Sequence, residues 1–188
     1  VDLSKHGFTI KRGWDKDAKK SVIILDAEKN TERCWGTFIF PVEAPIHCVL
    51  EAPHPVFDNQ SDVIAYELWK FSVDGVMLAV SGSHRTDPSG DNPRDVAHQP
   101  GSMWHKIVAS IVSNGMKQIQ QHGYADSSAP NFDVIVSEGA ATPSKDIETL
   151  ADSVERAGFR VARHWDGTAT TLAGTINSCG DIAKATGG

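Results

Sequence analysis

The run Gly75-Val-Met-Leu-Ala-Val80 is apolar at both alternating sets of positions. A strand with one wet face alternates, whereas a strand apolar on both faces needs cover on both sides, as inside an α/β sheet. The neighbouring segments agree. Ile46-His-Cys-Val-Leu50 reads as a strand, and Ile64, Ala65, Leu68, Trp69 and Phe71 recur at helical spacing on one face between the two runs. Asn59 or Ser61 can cap that helix, with Asp62 favourable in its first turn. Residues 103–112 read as a second helix stopped by Asn114-Gly115, and 116–121 as a strand. Residues 132–137 form another strand. A helix runs from Ser144 to about Ala157 and is closed by Gly158, before a last strand at 159–163.

Two strands stand ahead of this series, at 21–25 and 34–40, and residues 1–18 read as an irregular polar arm. The Thr-, Gly- and Ala-rich segment 165–188 carries little pattern. The expectation is one α/β domain over 1–188 with a mixed, largely parallel sheet flanked by helices. Right-handed crossovers would bring the strand-end loops to one edge.

Composition removes several classes. The net charge of −6 and the lack of a basic block argue against nucleic-acid binding. No apolar stretch reaches membrane-spanning length. Cys34, Cys48 and Cys179 are spaced as neither a disulfide framework nor a CxxC metal motif; a Cys34–Cys48 bridge between neighbouring strands is the one pairing to consider. The chain starts at Val1, as a mature or trimmed product does, and carries no signal that assigns a compartment. There is no GxSxG elbow, P-loop or GxGxxG.

The chemistry lies in four of the eight histidines, each in a polar motif that follows an apolar run. Loops at the carboxyl ends of strands form the ligand crevice of an open α/β sheet. His54 and Asp58 leave the strand 46–50 on a loop stiffened by Pro53 and Pro55, and a His and a carboxylate this close can chelate one divalent ion. Asp58 could instead be a helix cap. His122, before the turn-permitting Gly123, could be the distant third ligand or a strand-end His bonded to backbone. His84-Arg85 ends the strand 75–80; Arg85 is a fork for carboxylate or phosphate with His84 as a nearby donor, or it is an ordinary ion pair. Asp95 and His98 could orient His84 or Arg85, or close over substrate. Glu138 follows the strand 132–137 and is the candidate general base, or a helix cap. His47 and His105 read as structural.

A strand leaving in a His–carboxylate loop, a second ending in His-Arg, then strand-His-Gly and a late Gly-Phe-Arg-Val strand resemble the zinc-dependent amidohydrolases related to carboxypeptidases. Phage poly-γ-glutamate hydrolase and N-formylglutamate amidohydrolase are the groups most alike. The resemblance covers roughly residues 46–165. It implies a phosphorylase/hydrolase-like fold and Zn²⁺ held by His54, Asp58 and His122, with Asp62 as the alternative acid. The implied activity is metal-assisted cleavage of a peptide, γ-glutamyl or cell-wall-type amide in a small or polymeric substrate whose carboxylate Arg85 binds. Members carry a catalytic Glu on a late strand; here Glu138 takes that role, the base lies elsewhere, or the chain is a truncated or inactive member. Two other readings stay open. One is a non-catalytic metal- or ligand-binding domain. The other is a metal-free hydrolase using His84, Asp95 and His98 with Ser83 or Ser102.

Overall fold

The structure is a computed structural model that describes residues 3–28, 35–85, 94–112, 116–139 and 141–175. Strands β1 (Phe8–Asp15), β2 (Lys20–Ala27) and β3 (Thr37–Pro41) are followed by β4 (Cys48–Ala52), helix α1 (Ser61–Phe71) and β5 (Val76–Val80). Helix α2 (Met103–Val112), β6 (Lys117–Gln120), β7 (Val134–Val136), α3 (Lys145–Arg156) and β8 (Val161–Arg163) complete the order.

Six strands form one sheet in the order β1-β2-β3-β5-β4-β6, and β7 and β8 form a separate parallel pair. The large sheet is mixed: β1 to β5 pair antiparallel through β2 and β3, and β4 pairs parallel with both β5 and β6. Its parallel character is therefore only partial. The expected strand at 75–80 is buried along most of its length, with Met77, Leu78 and Ala79 at 0–1% exposure. Its two faces serve two cores. Met77 and Ala79 join Val49, Phe38 and Trp104 of α2, whereas Val76 and Leu78 join Leu50, Ala65 and Trp69 of α1. The helices thus cover opposite faces, as the apolar run requires.

β4 leads through α1 to β5 on one side, and β5 returns through α2 to β6 on the other. The strand order reverses at β4, so the crevice opens between the carboxyl ends of β4 and β6. His54 and His122 leave those two strands.

Three expectations are corrected. The arm at 1–18 contains β1, an eight-residue edge strand. Seven of its residues are at least partly solvated, so no apolar alternation marks it. Neither Asn59 nor Ser61 caps α1; Gln60 precedes it in a left-handed conformation without a side-chain cap bond. Finally, α1 does not seat on the wide stripe. Ser61, Ala65 and Trp69 are buried, while Ile64, Leu68 and Phe71 are 50%, 47% and 78% exposed. The small side chains at 61 and 65 let the helix settle on that single line, and the Trp69 indole N–H donates to the Val76 carbonyl at 2.9 Å. Removing a buried ring of this size costs about 3–5 kcal/mol.

Helix α3 matches its signals: Ser144 is the N-cap, its hydroxyl accepting from the Ile147 N–H, and Gly158 follows the helix at φ 98°. Cys48 is a free thiol; Cys34, Cys179, Asn114 and Gly115 lie outside the described residues, as does the middle of the loop 82–101. No described helix is long and apolar enough to cross a membrane.

Candidate metal centre

The chain leaving β4 turns at once. The Phe57 and Asp58 N–H groups both donate to the His54 carbonyl, at 2.9 and 2.7 Å. This turn carries Asp58 back beside the His54 ring, with Asp58 Oδ2 3.8 Å from His54 Nδ1. Both residues are buried, at 0% and 2% exposure. From β6, His122 brings its Nδ1 to 2.9 Å from the same Asp58 oxygen. The approach depends on Gly123: a Cβ there would lie 3.2 Å from Asp58 Cα and 3.3 Å from its Cβ, tighter than side chains ordinarily pack. His54, Asp58 and His122 each offer a ligand atom within 4.8 Å of the others. Asp62 is outside this group and sits in the first turn of α1, so Asp58 is its acid.

Asp95 fixes the direction of the cluster. Its Oδ1 lies 2.6 Å from His54 Nε2 and its Oδ2 2.9 Å from His98 Nδ1. Partial burial opposes its charge, but the hydrogen bonds from the two histidines prevail and hold it at about 2. A carboxylate accepting from Nε2–H leaves His54 Nδ1 with its lone pair turned to Asp58. That Nδ1, Asp58 Oδ1 and Ser61 Oγ are all buried without a hydrogen-bond partner. Buried polar atoms nearly always have partners, and each such orphan costs about 1–3 kcal/mol. Two of these atoms, His54 Nδ1 and Asp58 Oδ1, belong to the group of side chains that could hold a metal ion.

The donor set fits a divalent cation. Two imidazoles and a carboxylate are ordinary zinc ligands, three protein ligands are the number found in catalytic zinc sites, and a carboxylate hydrogen-bonded to the other nitrogen of a ligand histidine is the usual companion.

Further side chains come from the same turn and from the loop after β5. Phe57 is 49% exposed. The His84 ring stands edge-on to it at 5.3 Å, and the Arg85 guanidinium lies 5.9 Å from its centroid. The His98 ring stacks at 6.4 Å on His54. Of the expected sites, Asp95 and His98 therefore adjoin the triad through His54, whereas His84 and Arg85 adjoin Phe57 of the same turn. Asp95 holds His54 and His98, a role its sequence position did not suggest.

Glu138 is placed elsewhere. β7 belongs to the small sheet, not to the edge where β4, β5 and β6 end. The Glu138 carboxylate accepts from the Ser144 N–H at 3.2 Å and from its hydroxyl, at the start of α3. The two candidate serines are also engaged. Ser83 Oγ donates to the Arg94 carbonyl at 2.7 Å, and Ser102 Oγ accepts from the His105 N–H at 3.1 Å as α2 begins.

Glu51 escaped the sequence reading. It is wholly buried on β4, and burial pushes its carboxyl up to about 7 against the pull of Gln120 and Gln118. An acidic residue closing the apolar run at 46–50 was the available signal.

Compared with protein-family models, with curated proteins and with solved structures, the chain matches none.

Proposed function

We propose that this protein is a metal-dependent hydrolase that holds a zinc ion through His54, Asp58 and His122 and cleaves an amide bond in a carboxylate-bearing substrate. The observation that carries the metal reading is the pair of buried, partnerless atoms, His54 Nδ1 and Asp58 Oδ1, on facing side chains. A zinc ion bound there supplies Lewis-acid polarisation of a carbonyl and acidifies water. The protein's own groups do the rest. Asp95 orients His54. Arg85 offers a planar fork to the substrate carboxylate, Phe57 offers an apolar face next to it, and His84 stands against that face as a hydrogen-bond donor. The resemblance to carboxypeptidase-like amidohydrolases supports the amide as the bond cleaved.

The test has two stages. Protein purified without chelator should carry one equivalent of zinc, and His54→Ala or His122→Ala should lose it. Absence of metal from the wild type, or its retention by both variants, overturns the site. Zinc-loaded protein should then release product from γ-glutamyl or N-acyl amino-acid amides, and Arg85→Ala should raise KM.

The capping bonds of Glu138 favour a second reading, a metal-binding domain without turnover on the same scaffold. Stoichiometric zinc with no hydrolysis across those substrates selects it.

A further inference from the structure

Glu51 is buried on β4, upstream of His54 and outside the ligand set. A buried carboxyl is costly, and an aliphatic residue would be the ordinary choice on a covered strand. Its bonds show where it acts. The carboxylate accepts from Gln118 Nε2 at 2.6 Å and from Gln120 Nε2 at 2.8 Å, and the Glu51 backbone carbonyl accepts from the Gln121 N–H at 2.7 Å. These three partners belong to the segment that ends in His122, and Trp104 of α2 lies beside the same carboxyl. That segment needs holding: β6 has four residues, lies at the edge of the sheet and, among the described residues, pairs with β4 alone. Short edge strands sit at the low end of local stability. Hydrogen bonds to a buried carboxyl resist competition from water.

We infer that Glu51 is a positioning residue for the metal cluster, clamping β6 to β4 through Gln118 and Gln120 and so setting His122 against Asp58 and His54. The inference rests on the metal reading above. Register supports it: Glu51 stands directly opposite Gln120, with Gln118 two residues back on the same face. Gly123 completes the fit from the other side, where backbone meets Asp58.

The experiment uses the full chain with Glu51→Leu, Glu51→Gln, Gln118→Leu and Gln120→Leu. Amide exchange at Gln121 and His122 is followed by NMR in chelator-treated protein, with β2 and β3 amides as reference, and zinc affinity is measured by competition with a chelating dye. Glu51→Leu should speed exchange at β6 over the reference strands and weaken zinc binding about 10- to 100-fold, the range for a lost outer-shell partner. Gln118→Leu and Gln120→Leu should do both to a lesser degree. Glu51→Gln keeps the shape but offers one acceptor oxygen to two amide donors, so it should fall between Glu51→Leu and wild type. Unchanged exchange at β6, or exchange raised equally over the whole sheet, overturns the clamp. Faster exchange with unaltered zinc affinity overturns its role at the cluster. If Glu51→Leu does not fold, the two glutamine variants, at half-buried positions, decide by the same criteria. If the wild type binds no zinc, the metal reading fails, and exchange at β6 still upholds or overturns the clamp.

Discussion

The carboxyl end of the large sheet and the β7–β8–α3 unit both carry acidic residues in or beside parallel strands, yet they treat them in opposite ways. In the large sheet, Asp58 is enclosed between two imidazoles with one oxygen unpartnered, and Glu51 is buried and pushed up to about 7. In the small unit, Asp133 is exposed, and hydrogen bonds from the Arg160 side chain and backbone hold it at about 2. Glu138 meets the cap of α3, and Arg163 meets Asp152 and Glu155 at the surface. The small core of Val136, Ala151 and Val161 hides no charge. What separates the two regions is cover. A strand flanked on both sides and roofed by helices can desolvate a carboxylate and make it a ligand; a two-stranded pair under one helix leaves its acids in water, where they serve as caps and surface pairs.

The sharpest test of this contrast is pH. The folded-state pKa of Glu51 lies above its unfolded value, so its contribution is intact below about pH 4.5 and is lost as pH rises towards 7. A shift of this size corresponds to about 3 kcal/mol. Urea unfolding of wild type and Glu51→Gln should therefore diverge between those limits, with the variant relatively more stable at pH 8. Parallel curves would place Glu51 in water and break the contrast. Next in size is Asp95→Asn. It should keep the fold and weaken zinc binding about 10- to 100-fold, because His54 loses the carboxylate that sets its tautomer. An affinity equal to wild type would make Asp95 a bystander. The smallest effect belongs to Glu138→Ala, which should cost about 1 kcal/mol or less by loosening the start of α3 and leave zinc affinity unchanged. A drop in turnover larger than this loss of stability would return Glu138 to the reaction and join the two regions.

Much of the parallel half was legible in the chain. β4, β5, α2 and α3 fall where apolar runs, helical spacing and the Ser144 and Gly158 signals put them. The pair His54 and Asp58 was legible because it is local and shares a turn; His122 was marked by its place at a strand end before the turn-permitting Gly123, while the close approach of Gly123 to Asp58 belongs to the fold. Neighbourhood in the sheet was not legible. Glu138 and His122 each follow a short strand, and only the strand order separates them into different sheets. β1 was missed because Lys11, Arg12 and the exposed Ile10 and Trp14 of an uncovered edge leave no period to detect. The role of Asp95 was hidden for a related reason, since its partner His54 lies 41 residues away.

That His122 meets Asp58 across 64 residues of sequence has a thermodynamic consequence. Two of the proposed ligands ride on one turn and stand ready together; the third comes with a short edge strand. A bound ion would then act as a removable cross-link, closing a long loop only when β6 is docked. Linkage makes such an ion worth about 2.7 kcal/mol at a concentration 100 times its dissociation constant. On this reading that edge of the sheet is held partly by the ion, and β6 would loosen when the ion is withdrawn.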